Sequence, residues 1–172
     1  MTKVAFSTEY WIEALNGSHR REDFSCGVEA LDNYLQKQMA QDRDRGTAAP
    51  FVLTSDGVNI AGFYTLSALS ILNQELPTRF GKKLPSRSPI GVTLLGRMAV
   101  DLKLQGKHLG TLLLMHALHL SLENSRQIAS WAVVLDAKEG VRDFYRKHQF
   151  KDFHEQPGRM FLPMKTIEKM FE

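Results

Sequence analysis

The chain has 172 residues, of which 43% are apolar and 24% are charged, and its formal net charge is +3. This composition predicts one globular domain spanning residues 1–172 and excludes a disordered or fibrous chain. No apolar run approaches the roughly 20 residues that cross a bilayer, and the N-terminus lacks the apolar stretch of a secretory signal. The single cysteine, Cys26, cannot form an internal disulfide, so we expect the protein in a reducing cytoplasm.

Hydrophobic periodicity in the first half of the chain predicts a strand, a helix and a hairpin. Residues 9–15 are expected to form the first strand. Residues 28–41 carry apolar side chains at helical spacing and predict a helix. A short apolar run at 51–54 is followed by the turn residues Asp56 and Gly57, and the apolar pattern resumes at 58–69. This arrangement is typical of a β-hairpin.

The second half of the chain continues the alternation of strands and helices. Residues 73–89 are rich in proline, glycine and serine and predict a long loop, or a short helix between loops. The further predicted elements are a strand at 92–100 that Gly96 and Arg97 interrupt, a helix at 109–122, a buried strand at 129–135, a short helix at 138–148, and a closing pair of strands at 150–153 and 160–163. Their order indicates an α/β fold with a mixed sheet.

The junction between the strand at 92–100 and the helix at 109–122 is the most informative stretch for function. Glycines at 106 and 110 allow unusual backbone angles and a close ligand approach, and Lys107 adds a cation. The unpaired N–H groups of a helix start attract phosphate, so this turn predicts a phosphate or pyrophosphate site. The spacing matches neither a P-loop nor the dinucleotide fingerprint. The alternative interpretation is a plain helix start with glycines for turning.

These residues resemble the pyrophosphate-binding motif of the GNAT superfamily of acyl-CoA N-acyltransferases. That motif has Arg or Gln, two residues, Gly, one residue, and Gly or Ala. Gln105 and Gly110 match its ends, whereas His108 stands where the motif has its middle glycine. Gly106 is an additional glycine. A side chain at position 108 could narrow the phosphate cradle.

Within that superfamily the chain resembles the acetyltransferase toxins of bacterial toxin–antitoxin pairs, which acetylate aminoacyl-tRNA. The resemblance extends over residues 20–164, and its matching segments are 24–27, 31–35, 62–67, 95–101, 105–107, 133–138 and 144–145. It implies a GNAT fold with a mixed central sheet of about six or seven strands and helices on both faces. It also implies acetyl-CoA as cofactor, aminoacyl-tRNA as substrate, a ribbon-helix-helix antitoxin as partner, and a homodimer.

The resemblance also implies the residues that hold acetyl-CoA. Backbone groups at the end of the strand at 92–100 would pair with the pantetheine arm, and an N–H near Met98 would hold the thioester carbonyl. The turn after that strand would take the pyrophosphate. The implied cofactor-binding residues are Met98, Ala99, Val100, Gln105, Gly106, Lys107, His108, Leu109, Gly110, Thr111, Asp136 and Phe144. A helix-cap role is an equal alternative for Asp136.

The implied acid that protonates the departing thiolate is Tyr145, in the helix after the buried strand. From the residues alone, the favoured interpretation of Tyr145 is an aromatic core residue on an amphipathic helix. Arg97 is a candidate for substrate contact, or for an ion pair with Asp101. Further basic residues are candidate contacts to tRNA or, alternatively, an ordinary solvated surface: Arg79, Lys82, Lys83 and Arg87.

Three functions remain open at this stage. The first is the toxin activity on aminoacyl-tRNA. The second is an ordinary acetyltransferase for a small amine or a protein N-terminus. The third is a non-catalytic, antitoxin-binding homologue whose loop His108 has closed. His116 and His119 have a metal-like spacing, but no third ligand is obvious, so no metal is expected. Cys26 is expected to be a packed small residue and not a nucleophile.

Overall fold

The computed structural model describes residues 4–5 and 9–172 of the chain. In these ranges the strands are β1 (Val4–Ala5), β2 (Trp11–Ala14), β3 (Ala49–Thr54), β4 (Gly62–Ile71), β5 (Ile90–Val100), β6 (Ala132–Asp136), β7 (Lys151–Asp152) and β8 (Arg159–Pro163). The α-helices are α1 (Glu29–Lys37), α2 (Met39–Arg45), α3 (Thr78–Gly81), α4 (Leu109–Ser125), α5 (Arg142–Lys147) and α6 (Met164–Met170). Short 3₁₀ turns occupy Asn73–Glu75, Leu102–Leu104 and Glu139–Val141. Within these described ranges, no helix combines the length and the apolar character needed to span a membrane.

The chain divides into two compact units. The first unit comprises Met1–Ser67 and Gly96–Ala117, and the second comprises Ala68–Leu95 and Leu118–Glu172. β4, β5 and α4 therefore contribute residues to both units. The expectation of a single domain over residues 1–172 stays a prediction.

The first unit has the strand order β1-β2-β3-β4-β5. The β2–β3 and β3–β4 pairs are antiparallel, with Phe51 opposite Tyr64 in the second pair, so the predicted hairpin is confirmed. Helices α1 and α2 pack against β3 and β4 around a core of buried residues: Leu15, Phe24, Cys26, Tyr34, Leu35, Met39, Val52, Ile60 and Phe63. Cys26 is packed in this core, as expected from the sequence.

Two elements of the first unit differ from their predictions. The helix expected at 28–41 is two helices, because Gln38 leaves helical geometry with φ −124° and ψ −32°. The strand expected to break at Gly96 and Arg97 instead continues through both as part of β5. A Cβ at Gly96 would lie 2.8 Å from the Thr65 hydroxyl oxygen, so glycine lets β5 approach β4 closely. The Arg97 N–H donates to the same hydroxyl at 3.2 Å.

The second unit has the strand order β4-β5-β6-β8-β7. β5 and β6 are parallel, whereas the β6–β8 and β7–β8 pairs are antiparallel, so the sheet is mixed as predicted. Its core consists of Ile71, Leu76, Ile90, Val92, Ala132, Val134, Phe153 and Phe161. The loose segment at 73–89 contains the short helix α3. Helix α6 was not predicted.

Candidate functional site

The turn after β5 is fixed by hydrogen bonds to the segment before α1. The buried carboxylate of Asp101 accepts from the N–H of Lys103 at 3.0 Å and of Ser25 at 3.3 Å. The Gln105 side-chain amide donates to the carbonyls of Cys26 at 3.2 Å and Val100 at 3.1 Å. Gln105 therefore holds the turn in place through its side chain, which is a reason for this residue type at the start of the motif.

The next residues, the 105–110 loop, contain two left-handed backbone positions. Gly106 has φ +85° and His108 has φ +61°. Histidine is among the few non-glycine residues that enter this region with some frequency. His108 therefore supplies the backbone conformation that a glycine would supply at the same point of the motif. Its side chain is exposed, and a Cβ at Gly106 would meet nothing within 4 Å.

Helix α4 starts directly after His108. The His108 carbonyl accepts from the Leu112 N–H at 3.3 Å, and buried Leu109 anchors the first turn. Gly110 and Thr111 are partly exposed in that turn. The N–H groups of a first turn have no partner within their helix and carry a partial positive charge. The loop and the helix start thus offer N–H groups, and Lys107 is exposed next to them. A diphosphate fits this arrangement.

The last residues of β5 lead into this loop. In the β5–β6 ladder, Thr93 pairs with Val133 and Leu94 with Val134. β5 then continues for six more residues beyond Leu94. Met98, Ala99 and Val100 are partly exposed in this extension. A Cβ at Gly62 would lie 2.9 Å from the Ala99 carbonyl oxygen, so β4 approaches one edge of the extension closely.

Arg97 stacks on an aromatic ring instead of pairing with Asp101. Its guanidinium carbon lies 3.8 Å from the ring centroid of Tyr34. The Tyr34 hydroxyl in turn donates to Asp42 at 2.9 Å. Burial, followed by this carboxylate, raises the pKa of Tyr34 to about 12. Sequence reasoning missed Tyr34 and Asp42, which together hold an exposed cation in one position.

Tyr145 lies in α5 of the second unit with its ring buried. Phe144 and Phe150 contact the ring edge to face, at centroid distances of 5.1 and 5.6 Å. In the described part of the chain the Tyr145 hydroxyl has no hydrogen-bond partner. Every fully buried side-chain oxygen or nitrogen of these residues does have a partner, so the Tyr145 hydroxyl reaches the surface. Burial of the ring raises the pKa of Tyr145 to about 12. The phenol therefore stays protonated at neutral pH and is open to an incoming group.

Asp136 ends β6 in the same unit. Its carboxylate accepts two hydrogen bonds from the Arg159 guanidinium, at 2.8 and 3.1 Å. The pair joins opposite residues of the β6–β8 ladder, so Asp136 orients Arg159 and does not cap a helix. Phe144 packs against His148 with a centroid distance of 4.9 Å. Sequence reasoning also missed Arg159.

The predicted basic residues of the second unit lie on α3 and the loop after it. Arg79, Lys82, Lys83 and Arg87 are all exposed. The Arg79 guanidinium lies 4.8 Å from the Phe80 ring centroid. Two other cations are partly neutralised by neighbouring carboxylates, because Arg20 pairs with Asp23 and Arg43 with Asp44.

The two histidines with metal-like spacing have other contacts. The Nδ1 atom of His116 lies 2.6 Å from the buried Tyr64 hydroxyl. His119 contacts Glu123 at 3.8 Å and packs edge to face on Phe171. Within residues 4–5 and 9–172 no group of three or more His, Cys, Asp or Glu is arranged to hold a metal ion.

Residues 9–150 match the model of the acetyltransferase (GNAT) family, and the chain belongs to that family. Its sequence is 34% identical over 148 residues to the tRNA-acetylating toxin of Mycobacterium tuberculosis (strain H37Rv), covering 86% of this chain and 87% of that protein. The fold is similar to AtaT complexed with acetyl-methionyl-tRNAfMet, with a TM-score of 0.87, 26% identity, and 95% and 100% of the two chains covered. It is also similar to AtaTR bound with AcCoA, with a TM-score of 0.84, 26% identity, and 96% and 100% covered.

These findings confirm the predicted GNAT fold and the prediction of an acetyl-CoA-dependent acetyltransferase. The described residues form eight strands, whereas six or seven were expected. Two of the eight, β1 and β7, have only two residues each. The roles of the individual site residues stay predictions.

Proposed function

We propose that this chain is a toxin that transfers an acetyl group from acetyl-CoA to the α-amino group of aminoacyl-tRNA and thereby blocks translation. The similarity to the tRNA-acetylating toxin, at 34% identity over 86% of this chain, supports this substrate. The structural observation that carries the proposal is the backbone of the 105–110 loop. Gly106 and His108 are both left-handed, so His108 supplies the backbone conformation before α4 that the missing glycine would supply.

Acetyl-CoA supplies an acetyl thioester when bound. The residues that would hold its diphosphate are the 105–110 loop and Thr111, through backbone N–H groups and the Lys107 ammonium. The exposed end of β5 at Met98, Ala99 and Val100 would hold the pantetheine arm, and the Met98 N–H would stabilise negative charge on the carbonyl oxygen. Asp136 and Phe144 are also proposed as cofactor contacts.

Tyr145 is proposed as the general acid of the transfer. The attacking amine must be neutral, and a proton must reach the departing sulfur. Burial raises the pKa of the Tyr145 phenol to about 12, so the phenol is protonated before the transfer begins. The same shift makes the proton harder to give up, since each pKa unit corresponds to about 1.4 kcal/mol. We therefore expect Tyr145 to act late, when charge has developed on the sulfur.

Recognition of tRNA is assigned to exposed cations of both units. Arg97, held on Tyr34, is proposed to contact the acceptor end. The exposed residues of α3 and its loop are proposed to contact phosphates: Arg79, Lys82, Lys83 and Arg87. Such contacts weaken steeply as salt rises.

The partners follow from the same assignment. We propose a ribbon-helix-helix antitoxin with an acidic segment that covers the basic residues, a homodimer, and a cytoplasmic location.

A panel of charged tRNAs and a panel of small amines, each with labelled acetyl-CoA, test the proposal across a salt series. We expect label on the amino group of at least one aminoacyl-tRNA, with the rate falling as salt rises. Label on small amines with none on any charged tRNA, at every ionic strength, would refute the proposal.

A further inference from the structure

A groove of about 570 Å³ lies in the second unit, lined by residues from four separate segments of the chain. Its cations are Arg79, Lys83, Lys151 and Lys165, and its aromatic residues are Phe80 and Trp131. We call this site the basic groove. Its volume is within the range of roughly 300–1,000 Å³ that is usual for ligand sites.

The charge of the basic groove is uncompensated. No aspartate or glutamate lines it, although the chain has 19 acidic residues. Among the described residues, none of the four cations forms an ion pair, and the three lysines are exposed. Four cations converging on one concave surface repel one another, which favours an anionic occupant.

The floor of the basic groove is aromatic. Trp131 stacks on Phe161 with a centroid distance of 5.7 Å, and Phe80 meets Trp131 edge to face at 6.4 Å. The Trp131 carbonyl accepts from the Met164 N–H at 2.8 Å, which fixes the residue against α6. Trp131 is only partly buried, so part of the indole remains available to a ligand. An aromatic surface between cations is the combination that binds nucleic acid strands, through base stacking and phosphate contacts.

The Trp131 end of the basic groove is separate from the proposed general acid. Trp131 directly precedes β6, whereas Asp136 ends β6 and α5 follows it. The five residues of β6 span roughly 16 Å at about 3.3 Å per residue. A base stacked on Trp131 would therefore lie away from Tyr145, whereas Lys151 directly follows Phe150, whose ring contacts Tyr145. We expect such an occupant to affect binding of the substrate more than the proton transfer by Tyr145.

We propose that the basic groove binds the tRNA substrate at a second position, outside the reaction centre, with phosphates on its cations and a base or ribose against Trp131. This inference rests on the proposed function and adds Lys151, Lys165 and Trp131 to the residues assigned to tRNA.

The test compares two triple variants in a Trp11→Phe background, which leaves Trp131 as the one tryptophan of the chain. The groove variant carries Lys83→Gln, Lys151→Gln and Lys165→Gln. The control variant removes three other exposed lysines by Lys37→Gln, Lys147→Gln and Lys169→Gln. Because all six are exposed, both variants should unfold at temperatures close to the parent. The measurements are quenching of Trp131 fluorescence by bulk tRNA, the KM and kcat for the charged tRNA that the parent acetylates, and the Kd for acetyl-CoA.

We expect the groove variant to raise the KM and the Kd for tRNA roughly tenfold or more at low salt, with kcat and acetyl-CoA affinity unchanged. Its salt slope should fall by about 2, at roughly 0.7 per lost phosphate contact. Unchanged tRNA binding in the groove variant, beside an active parent, would overturn the groove assignment and leave the proposed function standing. The groove assignment would also be overturned if the groove variant kept its tRNA binding but lost binding to an acidic peptide. The groove would then be a site for protein. A parent that acetylates no charged tRNA would refute the proposed function itself.

Discussion

The 105–110 loop and the basic groove are both proposed to meet phosphate groups, but they are built in opposite ways. The loop consists of consecutive residues and offers backbone N–H groups, with Gly106 and His108 setting the conformation. The groove consists of side chains from four segments, and its cations come from α3, the loop after it, β7 and α6. A site made by consecutive residues leaves a motif in the sequence, whereas a site gathered by the fold leaves only scattered lysines.

The largest expected effect concerns the chemistry itself, which neither of these two regions is proposed to perform. Tyr145→Phe removes the phenol proton and keeps the ring that packs on Phe144 and Phe150. We expect kcat to fall by roughly 10²- to 10⁴-fold, the range for loss of a general acid, with the unfolding temperature nearly unchanged. Single-turnover acetyl transfer measures the change. Tyr10→Phe is the matched control, and turnover equal to the parent in Tyr145→Phe would remove Tyr145 from the mechanism.

A second prediction probes the left-handed position in the loop. His108→Gly keeps φ +61° at no steric cost, so acetyl-CoA should bind about as tightly as to the parent. His108→Val forces a β-branched residue into that region, at a cost of roughly 1–3 kcal/mol. If the loop moves to relieve this strain, the affinity for acetyl-CoA should fall about tenfold or more. Calorimetry gives both values.

His119→Val, on an exposed part of α4, is the control for this pair and should bind acetyl-CoA like the parent. Equal affinities for the His108→Gly and His108→Val variants would show that the conformation at 108 does not matter to the cofactor. Much tighter binding by His108→Gly would show that the imidazole obstructs the cradle, as the sequence comparison first suggested.

The smallest effect is visible only at high pH. All four tyrosines have pKa values raised by burial as the main cause, to about 12 for Tyr34 and Tyr145. The unfolded chain ionises them near pH 10, so a raised folded pKa lowers the free energy of unfolding as pH rises from about 10 through 12. Ultraviolet titration should show little tyrosinate at pH 10 in the folded protein and about half in denaturant. Half ionisation of the folded protein at pH 10 would contradict the burial of these rings.

Much of the fold could be predicted because apolar periodicity marks long elements well. The β3–β4 hairpin, α4 and β6 lie where the pattern puts them. Helix α6 has only seven residues, too few for a clear period, and β1 and β7 have two each. The division of residues 28–41 at Gln38 involves no proline or glycine, so the sequence carries no breaker that would announce it.

The candidate site shows the same contrast between local and gathered residues as the 105–110 loop and the basic groove. Gln105, Gly106 and Gly110 were readable because their spacing is local. The Asp136–Arg159 pair was not, because the two residues are 23 positions apart and meet only through the β6–β8 register. The support of Arg97 by Tyr34 depends in the same way on α1 packing beside β5. The sequence predicted Trp131 as a core residue of a buried strand. Its partial exposure is set by the positions of α3 and α6, which contact it through Phe80 and Met164.

The most direct test of the account is hydrogen exchange of the backbone amides at 105–111, with and without acetyl-CoA. We expect the cofactor to slow exchange at these amides, and an acetylated pantetheine without the diphosphate to leave their exchange unchanged. Saturating acetyl-CoA that leaves exchange at 105–111 unchanged while protecting other segments would contradict the central claim that this loop binds the diphosphate.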